Sequence, residues 1–328
     1  MSEEITNSAN DHLSNFIKNN EHKPEQPIIT NIEQFGSNTK QKVEYIETKA
    51  DSLWIDVPLE ELPYGKFYPI GTHIFIRPAT TKEIEAFAVV NDKNPFDVQL
   101  KLNEILSACT KISFIDGSYG TYKDIQSGDR DTLSIVIAKA TAKNGNKIQK
   151  KVICDCDASK DEINIEMIPA NYIYKTESED VAPWFNKDKR VYEFELENGI
   201  KIPLAPPSIG LTESINEYVF YKSAQSEGKI MPNLTFMQCI PYIKAGLGVK
   251  SLTIEQLEQE EYVFSKMNEE LFMFVYDAID LMGFGVEELK TKCTKCRKEL
   301  KTPFSFPGGA RALFVVPNAF KKFIRQRV

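Results

Sequence analysis

Two cysteine pairs lie far apart in this chain. One is Cys154-Asp155-Cys156 and the other is Cys293-Thr294-Lys295-Cys296, with residues 157–292 between them. Six cysteines in 328 residues are too few for a disulfide scaffold, and in a reducing compartment paired cysteines more often hold metal. Four thiolates presented by two tight turns are the ligand set of a closed tetrahedral structural zinc site. Lys292, Lys295 and Arg297 around the second pair offset the charge of a zinc tetrathiolate and favour thiolate over thiol. If all four cysteines share one ion, the fold must bring the two ends of residues 154–296 together. Spacing alone does not pair them, since Cys-x-Cys is a weaker signal than a second Cys-x-x-Cys; the alternative is four free structural cysteines. A redox dithiol lacks the βαβ context such motifs occupy. Cys109 and Cys239 fall in apolar helical patterns and read as core.

The rest of the chain reads as α+β, with short antiparallel hairpins, flanking helices and a helical C-terminal half. Residues 1–50 are rich in Asn, Glu, Lys, Ser and Thr, the composition of a disordered polar arm. Residues 51–205 form an α+β region with two hairpins. Leu53–Pro58 and His73–Arg77 alternate like half-buried strands. Pro78 ends the second, and Thr80 or Thr81 caps a helix with Glu83 in its first turn. A helix over Pro95–Cys109 follows, and another begins at Ser127 or Asp129 and runs to about Lys143. Ile148–Cys154 with Glu162–Ile168 makes the first hairpin. Val191–Leu196 with Ile200–Leu204, joined at Glu197-Asn198-Gly199, makes the second. Residues 206–289 are helical: one helix opens at Thr212, and others cover Phe236–Ile243, Thr253–Asn268 and Glu269–Met282. The last is apolar nearly all round, as buried helices are. Strand, proline and Thr-capped helix recur at 73–88 and 200–222, which suggests a weak duplication.

Charge divides the chain unevenly. From Lys290 to Val328 eleven basic residues face one acid, Glu299, so this end carries +10 within a total of -7. Residues 290–328 thus combine the Cys-x-x-Cys knuckle with a basic tail. Leu313–Val316 has the pattern of an added strand. Phe320, Phe323 and Ile324 share one helical face, flanked by Lys321, Lys322, Arg325 and Arg327. A basic amphipathic end of this kind fits an acidic groove on a partner, or the acidic body of its own chain. No run approaches the roughly 18 apolar residues of a membrane span, and Met1–Asn20 lacks a signal-peptide core; a soluble protein made in the cytoplasm is expected. Phosphate-binding glycine loops, His-Glu-x-x-His and Gly-x-Ser-x-Gly are missing, so the expectation is a protein without enzymatic activity.

The order of these features resembles the baseplate hub and hub-assembly proteins of T-even-type contractile-tailed bacteriophages. The matching residues are Leu62-Pro-Tyr-Gly-Lys-Phe-Tyr-Pro69, Ile76-Arg77-Pro78-Ala79-Thr80 with Lys82-Glu83, Gly128-Asp129-Arg130-Asp131-Thr-Leu133, the cysteine turn on the first hairpin, Leu196-Glu-Asn-Gly199 and the late Cys-x-x-Cys. The likeness covers about residues 53–308. The first cysteine turn departs from it, being Cys-x-Cys where Cys-x-x-Cys is expected, and the leader and basic tail have no counterpart. The resemblance implies a tail component that contacts other baseplate subunits or the tape-measure protein, in the host cytoplasm during assembly and in the virion if it stays. The other reading is a zinc-ribbon nucleic-acid-binding protein using the basic 290–328 segment, against which the acidic body stands.

Overall fold

The computed structural model describes residues 54–141, 148–156, 162–196, 199–225, 231–307 and 309–314, all within one compact unit, 53–328. These residues form an α+β fold of small antiparallel sheets and seven α-helices, four of them in the C-terminal half. The first sheet runs in the order β1 (Ile55–Val57), β2 (His73–Ile76), β3 (Thr110–Ser113), β4 (Tyr119–Gly120). Between β2 and β3 lie α1 (Thr81–Phe87) and α2 (Pro95–Cys109), and α3 (Arg130–Thr141) follows β4. A hairpin of β5 (Gln149–Ile153) and β6 (Glu162–Glu166) comes next, then β7 (Tyr172–Tyr174) and a sheet of β8 (Phe185–Asn186), β9 (Val191–Glu195) and β10 (Lys201–Leu204). The helical half comprises α4 (Ile209–Gln225), α5 (Leu234–Gly246), α6 (Ile254–Ser265) and α7 (Glu269–Leu281). The chain then returns as β11 (Val286–Lys292) and β12 (Glu299–Pro303), with β11 between β12 and β7.

Local chemistry explains the boundaries. At the start of α1, Thr80 and Glu83 form a reciprocal capping box, which satisfies two otherwise orphaned amides. Arg77, at the end of β2, closes on the same Glu83 with two bonds of 3.1 and 2.6 Å, so the strand, the proline and the helix start form one rigid corner. Asn94 caps α2, Thr253 caps α6 and Asn268 caps α7 through their side chains. Both hairpins form in the expected places, with Gln149 opposite Glu166 and Lys201 opposite Glu195.

Two apolar cores fill the unit. The first joins β2, β3, α2 and α3, with Ile74, Ile76, Leu106, Ile112, Leu133 and Ile137 at its centre. The second joins β9 to the helical half through Tyr192, Phe194, Tyr218, Ile240, Leu257 and Val275. The turn-rich segment Leu62–Pro69 connects them: Leu62 and Tyr68 lie in the first core, Phe67 in the second. Gly65 is required there because a Cβ would stand 1.8 Å from the Leu59 carbonyl oxygen. Gly128 is required for the same reason, a Cβ there lying 1.8 Å from the Tyr64 ring. On the other side of Lys66, Glu177 pairs with the ammonium and accepts from the Tyr192 hydroxyl.

Several expectations change. Asp129 does not cap α3. It is fully buried, accepts from the Tyr64 amide at 2.9 Å and the Tyr68 hydroxyl at 2.8 Å, and thereby fastens the Leu62–Pro69 segment to the start of α3. Helix α4 begins at Ile209 rather than Thr212, because the Ser208 carbonyl already accepts from the Thr212 amide. The second strand-helix unit therefore lacks the Thr cap of the first; the Ser208 hydroxyl accepts from the Leu211 amide at 3.3 Å instead. Leu313 ends a 3-10 turn, Ala310–Leu313, instead of starting a strand. Helix α7 is not a buried helix: only Val275 and Ala278 of it are buried. The polar arm at 1–50 lies outside the described residues.

Burial pushes the Asp129 carboxyl up to about 7, against the lowering effect of the Tyr64 and Tyr68 bonds. A folded-state value above the unfolded one means the protonated acid favours folding; that contribution is complete below about pH 4 and is lost as pH rises to about 7. Asp129→Asn, which needs no proton, should therefore gain stability relative to the parent chain between pH 5 and pH 8. Urea denaturation of both proteins at the two pH values measures the difference; an Asn variant that loses ground as pH rises contradicts the assignment.

Candidate metal centre

The four sequence-predicted ligands meet in space. Cys154 directly follows β5, and Cys156 lies in the turn beyond it. Cys293 directly follows β11, and Cys296 lies in the turn toward β12. All four sulfur atoms lie within 4.8 Å of one another. Cys154 Sγ is 3.6 Å from Cys296 Sγ, and Cys156 Sγ is 3.7 Å from Cys293 Sγ. A disulfide would need about 2.05 Å. A tetrahedral ion with metal–sulfur bonds of about 2.3 Å sets its ligands about 3.8 Å apart. The spacing is therefore that of sulfurs arranged around an ion, and the four cysteines together can bind a metal.

The two hairpins are docked so that each supplies one buried and one exposed thiol. Cys154 and Cys293 are buried, whereas Cys156 and Cys296 are exposed. Leu300 on β12, with Val152 and Ile163 on the β5–β6 hairpin, makes an apolar collar beneath the buried pair. Lys150 on β5 donates to the Pro303 carbonyl and the Ser305 hydroxyl, both at 2.6 Å, tying the hairpins together along their length. In the knuckle, the Cys293 amide donates to the Lys298 carbonyl and the Arg297 amide to the Cys293 carbonyl, both at 2.9 Å.

The electrostatics favour a cation. Hydrogen bonds from the Cys296 and Lys295 amides bring the Cys293 thiol down to about 6. The neighbouring thiols, Cys154 first and Cys296 next, push Cys156 up to about 12. Packed this closely, the four groups cannot all ionise unless a positive charge sits among them. Four sulfur donors select soft metals such as zinc or iron over magnesium or calcium.

Arg297, read from the sequence only as a charge beside the thiolates, has a backbone role that the sequence reading missed. It turns the chain with φ of 60°, a left-handed conformation that glycine adopts without steric cost. Its signal was only its position directly after the second cysteine. The tail residues Phe320, Lys321, Lys322, Phe323, Arg325 and Arg327 lie outside the described residues. Among the described residues, no helix is long and apolar enough to cross a membrane.

No protein-family model matches the chain, and searches of curated proteins and of solved structures find no match either.

Arg297→Gly should stabilise the metal-loaded protein by about 1 kcal/mol, the order of the left-handed penalty it removes. Denaturant unfolding of the loaded protein checks this, and a loss of stability would show that the Arg297 side chain contributes more than its backbone costs.

Proposed function

We propose that this chain is a non-enzymatic structural or assembly component of a phage tail baseplate, in its hub region, whose fold is held by one structural zinc ion on Cys154, Cys156, Cys293 and Cys296. The observation that carries the zinc assignment is the four-sulfur cluster. Two hairpin ends that are remote in sequence converge at ligand spacing, with an apolar collar beside the buried pair. A closed four-cysteine site is structural in character, because catalytic zinc keeps a position for water or substrate.

Support for the baseplate assignment comes from where the resembling residues sit. Leu62–Pro69 bridges the two cores, Arg77 and Glu83 form the corner before α1, Gly128 and Asp129 receive the bridging segment, and Cys293 and Cys296 complete the cluster. These positions are the joints of the fold, so a shared architecture would keep them while the surfaces between diverge. Contacts with other tail subunits would then be made by those surfaces and by the terminal segments.

The second reading is a zinc-ribbon nucleic-acid-binding protein that uses the basic 290–328 segment. Against it, lysines on the cysteine hairpins already have acidic partners: Lys151 pairs with Glu162, and Lys301 lies within 4.0 Å of Glu288 and 3.7 Å of Glu299. Tight, steeply salt-dependent retention of DNA in a filter assay would reverse that choice.

Elemental analysis of freshly purified, reduced protein should find one zinc per chain. Cys293→Ser with Cys296→Ser should abolish it, and acidification from neutral pH to about 5 should release it, since protons compete for the thiolates. Metal-free protein with four titratable thiols would refute the site. For the baseplate assignment, cross-linking of purified contractile tails from a phage carrying this chain should join it to hub subunits or the tape-measure protein. Its cross-linking to unrelated proteins alone would refute that assignment.

A further inference from the structure

The cysteine cluster contains two crossed contacts. Cys156 is exposed and lies 3.7 Å, sulfur to sulfur, from buried Cys293. Cys296 is exposed and lies 3.6 Å from buried Cys154. Each contact joins one hairpin to the other, and an accessible thiol to a shielded one. The remaining cysteines are different. Cys109 on α2 and Cys239 on α5 are buried, and burial pushes their thiols up to about 12 and about 11. Thiolate is the form that oxidants attack, and buried thiols of this kind are inert. Thiol chemistry is thus confined to the four-cysteine cluster, and its entry points are Cys156 and Cys296.

We infer that the cluster is a peroxide-responsive switch, in which hydrogen peroxide converts the metal-bound tetrathiolate into two disulfides, Cys154–Cys296 and Cys156–Cys293, and expels the ion. The inference rests on the zinc reading above and goes beyond it. In each pair the exposed thiolate attacks one oxygen of the peroxide; the O–O bond breaks, hydroxide leaves and the sulfur becomes a sulfenic acid. The buried thiolate beside it then attacks that sulfur, the S–S bond forms and a second hydroxide leaves. Two electrons pass from the sulfur pair to the peroxide. Two disulfides therefore consume two peroxide molecules and release four hydroxides, which solvent protons convert to water. Zinc needs thiolate, so the first disulfide leaves it two ligands and the second leaves none.

The geometry favours the crossed pairing. Each pair closes by about 1.6 Å from its present separation to reach a bond of about 2.05 Å, a shift that side-chain rotation supplies once no ion holds the sulfurs apart. Pairing Cys293 with Cys296 would leave Cys154 to bond Cys156 across Asp155 alone, a short ring that strains disulfide geometry. Pairing Cys154 with Cys293 would join the two shielded sulfurs and leave the two accessible ones to each other. Because both crossed bonds run from hairpin to hairpin, the loop between Cys156 and Cys293 stays closed when the ion leaves.

The test uses the full-length, zinc-loaded protein, titrated with hydrogen peroxide at neutral pH while a chromogenic chelator reports free zinc. Remaining thiols are alkylated, and the denatured chain is cut after lysine and before aspartate. These cuts separate Cys293 from Cys296 at Lys295 and Cys154 from Cys156 at Asp155. About two peroxide molecules per chain should release the one zinc. Mass spectrometry should find Cys154 joined to Cys296 and Cys156 to Cys293, with Cys109 and Cys239 alkylated. Dithiothreitol with added zinc should restore the four thiols and the ion. The oxidised chain should also unfold at higher urea than the reduced, metal-stripped chain, because its loop is still closed. Protein that holds no zinc before peroxide is added would overturn the zinc reading and this inference with it. Zinc-loaded protein that keeps its ion and thiols, that forms Cys154–Cys156 and Cys293–Cys296, or that ends in sulfonic acids beyond rescue by reductant would overturn the inference alone.

Discussion

Confinement of four thiol sulfurs within 4.8 Å is the constraint on which the rest of this fold depends. An ion held there would make one loop of everything between Cys156 and Cys293, including β7–β10 and all four helices of the C-terminal half. A cross-link closing a loop longer than 100 residues removes denatured-state entropy on the order of 4–5 kcal/mol in the chain-entropy model. That is a large fraction of the stability of an ordinary domain. Among the described residues, Leu300, Val152 and Ile163 pack with the buried cysteines. Away from the cysteines the two hairpins also meet in the first core, where Ile165 of β6 and Leu289 of β11 are both buried. An ion held by the four cysteines, as proposed, would add cohesion at this end of the hairpins.

The second constraint is polar. Asp129, buried and doubly hydrogen-bonded, fixes Tyr64 and Tyr68, and these flank the residues that enter the two cores. Tyr68 in turn accepts from the Gln126 amide at 3.0 Å. One carboxyl group thus anchors a segment whose own backbone is held only by short 3-10 turns such as Gly65–Phe67. The glycines at 65 and 128 allow the close approaches this needs. The cysteine cluster and the Asp129 network address the same problem, since each lies where segments remote in sequence meet.

Local signals were legible where short-range physics decides. Helix α2 occupies Pro95–Cys109 as its periodicity indicates, the capping box at Thr80 and Glu83 is formed, and β9 and β10 pair antiparallel as expected. The four candidate ligands were also readable, because thiols near tight turns are few and chemically distinctive. Their convergence was not, since nothing in residues 157–292 encodes a distance between the ends. Asp129 was misread because an aspartate before a helix is usually a cap, and its burial depends on Tyr64 and Tyr68 from another part of the chain. Helix α7 was misread for a related reason: an apolar composition shows that a surface must be covered, without saying whether the same molecule covers it.

X-ray absorption at the zinc edge on the reduced, full-length protein is the most direct test of the metal-stapled fold. The account predicts a single shell of four sulfur scatterers at about 2.3 Å. Nitrogen or oxygen in that shell, fewer than four sulfurs, or protein that folds without bound zinc would contradict it.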